Sequence, residues 1–293
     1  METTVMRPAT RDDYRKRLLR VLVHIEKHLD EELALEDLAR LAFFSPYHFH
    51  RIFRGMVGES VAEHVRRLRL ERGARALRLT DRPVTEIAFD AGYETHEAFT
   101  RAFHARFGAS PSAFRKSSAP APAPAPGRAR LARARAPLPP VEVRELAPLR
   151  VAFLRHTGPY RDVGPAWGGF LFWAGSRGLL RGAPRLLGVC HDDPDVTPAD
   201  KLRYDACLPV GEDFRAEAGV GVQTIAGGPH AVMLHVGPYE RLGEAYLRLV
   251  GEWLPRSRRE ARAAPVHEVY LNTPQDTPPE DLRTTLHLPL EDR

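Results

Sequence analysis

Cysteine is nearly missing. The 293 residues hold only Cys190 and Cys207, too few for a disulfide framework and without the C-x-x-C spacing of a zinc site, so buried free thiols are expected. No apolar run approaches the roughly 20 residues that a membrane-spanning helix needs. The first residues, METTVMRPATRDDYRK, are charged where a secretory leader would be apolar; the expectation is a cytoplasmic protein with no membrane partner. Strong charge of one sign is absent as well, the formal net charge being +5. What is present, 43% hydrophobic and 28% charged residues, excludes a mostly disordered, collagen-like or coiled-coil chain. The length predicts two domains, at roughly 100–200 residues each.

The charge is unevenly spread. Residues 1–116 carry 21 Lys/Arg against 17 Asp/Glu, residues 117–140 four arginines and no acid, and residues 141–293 carry 18 against 21. The basic half is the one that could meet phosphate, although such a charge is common among proteins that bind no nucleic acid. The stretch SSAPAPAPAPGRARLARARAPLPP, residues 117–140, has almost no large apolar side chain to offset its ordering entropy. It reads as a semi-rigid polyproline-type linker, with Arg128, Arg130, Arg133 and Arg135 as solvated charge or as a loose contact to DNA phosphates. Before it, apolar residues recur with helical spacing, at Leu18, Leu22, Ile25 and Leu29 and again from Val61 to Leu77. After it, short β-type runs at 150–154, 186–190, 220–225, 231–235, 268–271 and 284–288 alternate with helical windows near 163–175 and 240–253. The fold class is thus multidomain: an all-α domain over 1–116, the linker over 117–140, and an α+β domain over 141–293.

The helical part contains a repeat. Phe49-x-Arg51-x-Phe53 followed by Gly58-x-Ser60 returns as Phe99-x-Arg101-x-Phe103 followed by Gly108-x-Ser110, and Leu38-Ala39-x-x-Ala42 returns as Ile87-Ala88-x-x-Ala91. Each copy reads as helix, turn, helix. The small alanines let the second helix cross closely. Thr85 with Glu86 opens a first helix, Gly92 supplies a turn, and Ser45-Pro46 gives a second helix its cap and a proline at its first position. The phenylalanines fall on one face and predict core; Tyr47, His48, His50 and Arg51, with His96, Glu97, Thr100 and Arg101 and the neighbouring Thr95, fall on the other. In a helix-turn-helix that outer face enters the major groove, where arginine holds guanine bidentately. Two such helices, linked by a helix over 61–79, would read groove segments about 34 Å apart. His48-x-His50 is no metal pair, because residues i and i+2 of a helix face apart.

On these residues, and on the run from Ala88 to Arg115, the segment from about Asp12 to Lys116 resembles the AraC/XylS family DNA-binding domain. The resemblance implies double-stranded DNA as partner, with Tyr47, His50, Arg51, His96, Glu97 and Arg101 at base- or phosphate-contacting positions. Glu97 departs from the neutral amide often found there; an acid accepts from cytosine or repels phosphate.

The second half is also duplicated. His156-Thr-Gly158-Pro159-Tyr160 returns as His235-Val-Gly237-Pro238-Tyr239, and Asp192-x-Pro194-x-x-Thr197-Pro198 returns as Asn272-x-Pro274-x-x-Thr277-Pro278. Two strand–helix–strand–strand halves, stacked, predict one antiparallel sheet under two helices with a cleft near the pseudo-twofold axis. The departures from symmetry are informative. Glu268 stands where the first half has Gly188, in the otherwise interior run Val266–Leu271, and a buried acid needs a partner. One reading is recognition of a cation, helped by Trp167, Phe170, Trp173, Tyr204 and Tyr270; others are a structural ion pair with Arg203 or Arg283, or a surface strand with no arginine partner.

The segment from about Val141 to Asp292 resembles the GyrI-like small-molecule-binding domain, itself a duplicated strand–helix–strand–strand module. In that family the glutamate matching Glu268 lines an aromatic pocket for bulky, cationic or amphipathic compounds. The implied protein is a transcription regulator, read as an activator, that binds DNA, a small effector and RNA polymerase and needs no cofactor or metal. Two alternatives stay open: a fused hydrolase in which Glu268 and Tyr270 activate water, or a protein-interaction module. No Ser/His/Asp order, zinc spacing or phosphate-binding glycine loop supports an enzyme.

Overall fold

Phe99 and Phe103, four residues apart, share one helical face, and in the computed structural model both are fully buried. The structure describes residues 11–116, 137–182, 185–217 and 219–292. The Ala/Pro-rich stretch and its four arginines, Arg128 to Arg135, lie outside the described residues. By its contacts the chain divides into two units. One holds, of the described residues, 15–43 and 56–116; the other holds 11–14, 44–55 and 137–292.

Among the described residues, seven helices follow one another before residue 117: α1 (Arg11–Lys27), α2 (Leu35–Leu41), α3 (Pro46–Val57), α4 (Val61–Leu79), α5 (Val84–Asp90), α6 (His96–Phe107) and α7 (Pro111–Lys116). In the first unit, Leu70, Ala74 and Leu77 of α4 pack with Ile87, Ala88, Phe99, Phe103 and Phe114. Ser60 starts α4 with a capping box: its hydroxyl accepts from the Glu63 amide, and the Glu63 carboxylate accepts from the Ser60 amide. Thr85 does not open α5. The helix begins one residue earlier, at Val84, after Pro83, whose carbonyl accepts from Ile87. The turn after α5 is made by Gly92, at φ 75°; the corresponding turn after α2 is made by Phe43, at φ 54°.

The other unit is built on eight strands, all antiparallel, in the order β1-β6-β8-β7-β3-β4-β2-β5. They are β1 (Val141–Leu146), β2 (Leu149–Thr157), β3 (Leu186–Cys190), β4 (Arg203–Pro209), β5 (Gly221–Ile225), β6 (Gly228–Val236), β7 (His267–Tyr270) and β8 (Arg283–Pro289). The order is symmetric about the β3–β7 pair, as the sequence duplication requires: β2 with β6, β3 with β7, β4 with β8, and the edge strands β5 with β1. Helix α8 (Gly164–Ser176) follows β2; α9 (Leu242–Tyr246) follows β6 and continues as a π-helical segment, Leu247–Trp253. Phe170 and Ala174 of α8 pack on Ala152, Tyr204, Ala206 and Leu208, while the alternate residues Val151 of β2 and Cys207 of β4 join Leu187, Val189 and Val269 of β3 and β7 in a second cluster.

Candidate functional site

Glu268 lies directly opposite Gly188 in the β3–β7 pair, at the centre of the sheet's symmetry. Its side chain is buried, 3% exposed, and its hydrogen-bond partners among the described residues are hydroxyls and a thiol. Tyr246 donates to Oε1 at 2.9 Å, the Cys190 thiol donates to Oε1 at 3.5 Å, and Tyr270 donates to Oε2. With the Tyr270 proton committed to the carboxylate, the 2.7 Å contact between the Tyr204 and Tyr270 hydroxyls has Tyr204 donating, and Trp167 Nε1 donates to Tyr204 at 3.0 Å. A relay of donors from Trp167 to Tyr204 to Tyr270 thus ends on Glu268. Burial raises the Glu268 pKa above the usual carboxylate value, against the pull of the Tyr270 and Tyr246 hydroxyls and the Cys190 thiol. Burial likewise raises the Cys190 thiol well above its ordinary value, with the Glu268 charge adding to it. Tyr239, edge-on to Tyr270 at 5.4 Å, is pushed up to about 12 by burial and by Glu268.

A carboxylate among aromatic rings, held by neutral donors, is arranged to attract a cation. Of the sequence-predicted residues, Trp167, Tyr204 and Tyr270 gather at Glu268. Phe170 backs this group, edge-on to Trp167 at 6.2 Å, and stacks on Trp173 at 5.5 Å; Trp173 in turn meets Phe214 edge-on and carries Arg177 over its ring. Arg203 is not the partner of Glu268; it pairs with Asp192 at 2.8 Å. Sequence reading missed Tyr246, Cys190 and Tyr239. The duplication held the signal, because Tyr246 follows Tyr239 by the same seven residues that separate Trp167 from Tyr160. Away from this site, a groove of about 640 Å³ runs beside β1, β6 and α9, lined among others by Glu142, Arg144, Glu244 and Arg248.

The helical candidates fall in two groups. On α6, Thr95 caps the helix, accepting from the Ala98 amide at 3.1 Å. Glu97 and Arg101 are exposed on the side away from Phe99 and Phe103, whereas Thr100 is half-buried and His96, on the same helical stripe as Phe99 and Phe103, is half-buried as well. On α3, Ser45 accepts from the Tyr47 amide at 3.2 Å and Tyr47 is exposed, but His48 and His50 are 1% and 3% exposed, not the open face that helical spacing predicts. Segment 44–55 shares its unit with residues 137–292, and these cover the outer side of α3. His48 Nε2 lies 3.0 Å from the Arg262 carbonyl, His50 Nδ1 lies 3.3 Å from Asp193, Arg51 Nε is 3.5 Å from Asp193 with its guanidinium 4.9 Å from the Tyr246 ring centre, and Arg54 pairs with Asp195. Burial, with Arg51 nearby, lowers the His48 pKa to about 4. Burial alone would raise Asp193, but the Arg51 charge and the His50 hydrogen bond hold it at about 2. His50, Asp193 and Asp195 bring ligand-type atoms within 4.8 Å of one another, yet both carboxylates already have arginine partners.

Residues 38–117 match a helix-turn-helix domain, and residues 139–291 match the GyrI-like small molecule binding domain. The chain is 38% identical over 98 residues to the transcriptional regulator Rob of Salmonella typhimurium, covering 33% of this chain and 34% of that protein. It is 41% identical over 102 residues to the uncharacterized HTH-type transcriptional regulator YbfP of Bacillus subtilis, covering 35% of each. These matches span about a third of the relatives' length. Among solved structures the chain is similar to the EcmrR–DNA complex, at 19% identity and TM-score 0.44, over 53% of this chain and 59% of that one.

Proposed function

Because the chain belongs to the GyrI-like family and carries an AraC/XylS-type helix-turn-helix domain ahead of it, we propose that it is a sequence-specific, DNA-binding transcription activator answering to a small cationic or amphipathic effector. The observation that carries the DNA half is the face of α6: a capped helix start with Glu97 and Arg101 exposed beside it, opposite a phenylalanine core. Thr95, His96, Glu97, Thr100 and Arg101 address one groove segment; Tyr47, His48, His50 and Arg51 address a second when the outer side of α3 is uncovered. The effector half is supported by Glu268 among Trp167, Tyr204 and Tyr270. Its carboxylate oxygens accept from three donors, which supports reading this as a binding domain over the alternative of a hydrolase. The protein works in the cytoplasm, with RNA polymerase as the third partner.

Arg101→Ala tests the groove assignment. In a gel shift at fixed salt it is expected to weaken binding to the selected site by about 1–3 kcal/mol, with relaxed preference at one base pair; Arg51→Ala is expected to do the same at another. Unchanged affinity and preference in both variants rejects the assignment. For the effector, quenching of Trp167 by a panel of aromatic cations, saturable in the wild type and lost in Glu268→Gln, is the expected result.

A further inference from the structure

Two residues break the internal repeats, and they break them at one place. Gly55 of α3 stands where the second helix-turn-helix copy has Ala105. Gly251, in the π-helical segment after α9, stands where the first half of the C-terminal duplication has Phe172, which is 83% exposed. The two glycines meet. A Cβ on Gly55 would lie 2.4 Å from the Gly251 Cα, and a Cβ on Gly251 would lie 2.7 Å from the Arg51 carbonyl oxygen and 2.9 Å from the Gly55 Cα. Backbone against backbone at that spacing admits no side chain at either position. Around the crossing, Asp193 holds His50 and Arg51, Asp195 holds Arg54, and the Tyr246 ring carries the Arg51 guanidinium. The matching face of α6, by contrast, is open: Arg101, His104 and Ala105 are all exposed.

We infer that this surface of the C-terminal domain, Gly251 flanked by Asp193, Asp195 and Tyr246, is a docking face for α3 that competes with DNA. The inference rests on the DNA-binding reading above. Its carboxylates occupy the same arginines that phosphates and base edges would take, so one helix has two mutually exclusive partners. Tyr246 belongs to both sites, with its ring under Arg51 and its hydroxyl on Glu268. A compound that displaces Tyr246 from Glu268 therefore disturbs the docked α3, and by linkage release of α3 changes the affinity for that compound by the same factor.

The test uses the full chain and two variants, Gly251→Ala and the double variant Asp193→Asn/Asp195→Asn. Labelling by diethyl pyrocarbonate, mapped by mass spectrometry, reads docking without DNA. His48 and His50 are expected to react at least about tenfold more slowly than the exposed His104 in the wild type, and at nearly its rate in Gly251→Ala. A 30-base-pair duplex enriched by the wild type from a random pool reads competition. Both variants are expected to bind it about tenfold more tightly, as for a helix free in about one wild-type molecule in ten. Wild-type His48 and His50 that react as fast as His104, or protection that survives in both variants, overturns the docking face. Histidines freed with no change in duplex affinity overturn the competition. If none of the three chains retains a duplex, the DNA reading fails and takes the competition with it, while the labelling still reports the contact.

Discussion

Gly188 and Glu268 occupy equivalent positions in the two halves and face each other across β3 and β7, yet only one carries a side chain. The reason is the hydroxyl pair. A Cβ on Gly188 would sit 2.3 Å from the Tyr204 hydroxyl and 2.6 Å from that of Tyr270, the two groups that pass hydrogen bonds to Glu268. Gly188→Ala is therefore expected to push the tyrosines apart, costing about 1–3 kcal/mol by overpacking, lowering the melting temperature, and abolishing effector quenching together with it. A variant with wild-type melting and wild-type quenching contradicts the relay. Glu268 was legible in the sequence because symmetry singled it out as an acid in an interior run. Tyr246 and Cys190 were not, since a tyrosine in an amphipathic helix and a lone cysteine each look like ordinary core until the fold shows what they touch.

Single elements show the same limit in another form. Strand β1 was not predicted, and β4 was expected only from the duplication, as the strand that follows the Thr197-Pro198 turn, without a β-type run of its own. In β1, Val-Glu-Val-Arg-Glu-Leu, both faces are half-buried or exposed, so it pairs at a sheet edge with no core signal to announce it. In β4, Arg-Tyr-Asp-Ala-Cys-Leu-Pro, five consecutive residues are buried, and Asp205 is tolerated there because Arg155, His191 and Gln223 all reach its carboxylate within 3.0 Å. The ends of α4, by contrast, were readable, because a capping box and a helical apolar stripe are local. Turn chemistry gives the prediction at this scale. The left-handed turn made by Gly92 is made by Phe43 after α2, and a side chain in that region costs about 1–2 kcal/mol. The Phe43 side chain is exposed, and Arg20 lies over its ring at 5.2 Å. Phe43→Gly removes the strain, loses that stack and gains chain entropy in the unfolded state, for a net stabilisation expected near 0.5 kcal/mol. Denaturant melts check it; a loss above about 1 kcal/mol would assign the ring a larger part.

For the molecule as a whole, the two duplications made the domain order legible. The covering of α3 was not, because it depends on contacts between segments about 140 to 200 residues apart in sequence. The response to acid likewise belongs to the whole chain. His48, His230, His267 and His287 are all buried. Burial holds His48 and His287 down to about 4, His230 below its ordinary value, and His267, which also feels His287 and His230, well below it. Unfolded, each titrates near 6.5, so between pH 6.5 and 4 the unfolded chain binds more protons and stability falls as pH falls. Arginine-paired carboxylates add their share lower down: Asp193 and Asp205, raised by burial but held at about 2 by their partners, stabilise above their unfolded value of 3.8 and stop doing so as pH falls through 2. Full loss at His48 or His287 is on the order of 3 kcal/mol each, large beside a total of about 5–15 kcal/mol. His267 stands 5.4 Å from His230 and 4.7 Å from His287, ring centre to ring centre, so charging one makes the next harder to charge inside the fold. The urea midpoint is expected to hold between pH 8 and 7 and to fall steeply from pH 6.5 to 4.5, and His287→Gln is expected to shrink that fall. A midpoint that stays level down to pH 5 would mean these rings accept protons without unfolding the sheet.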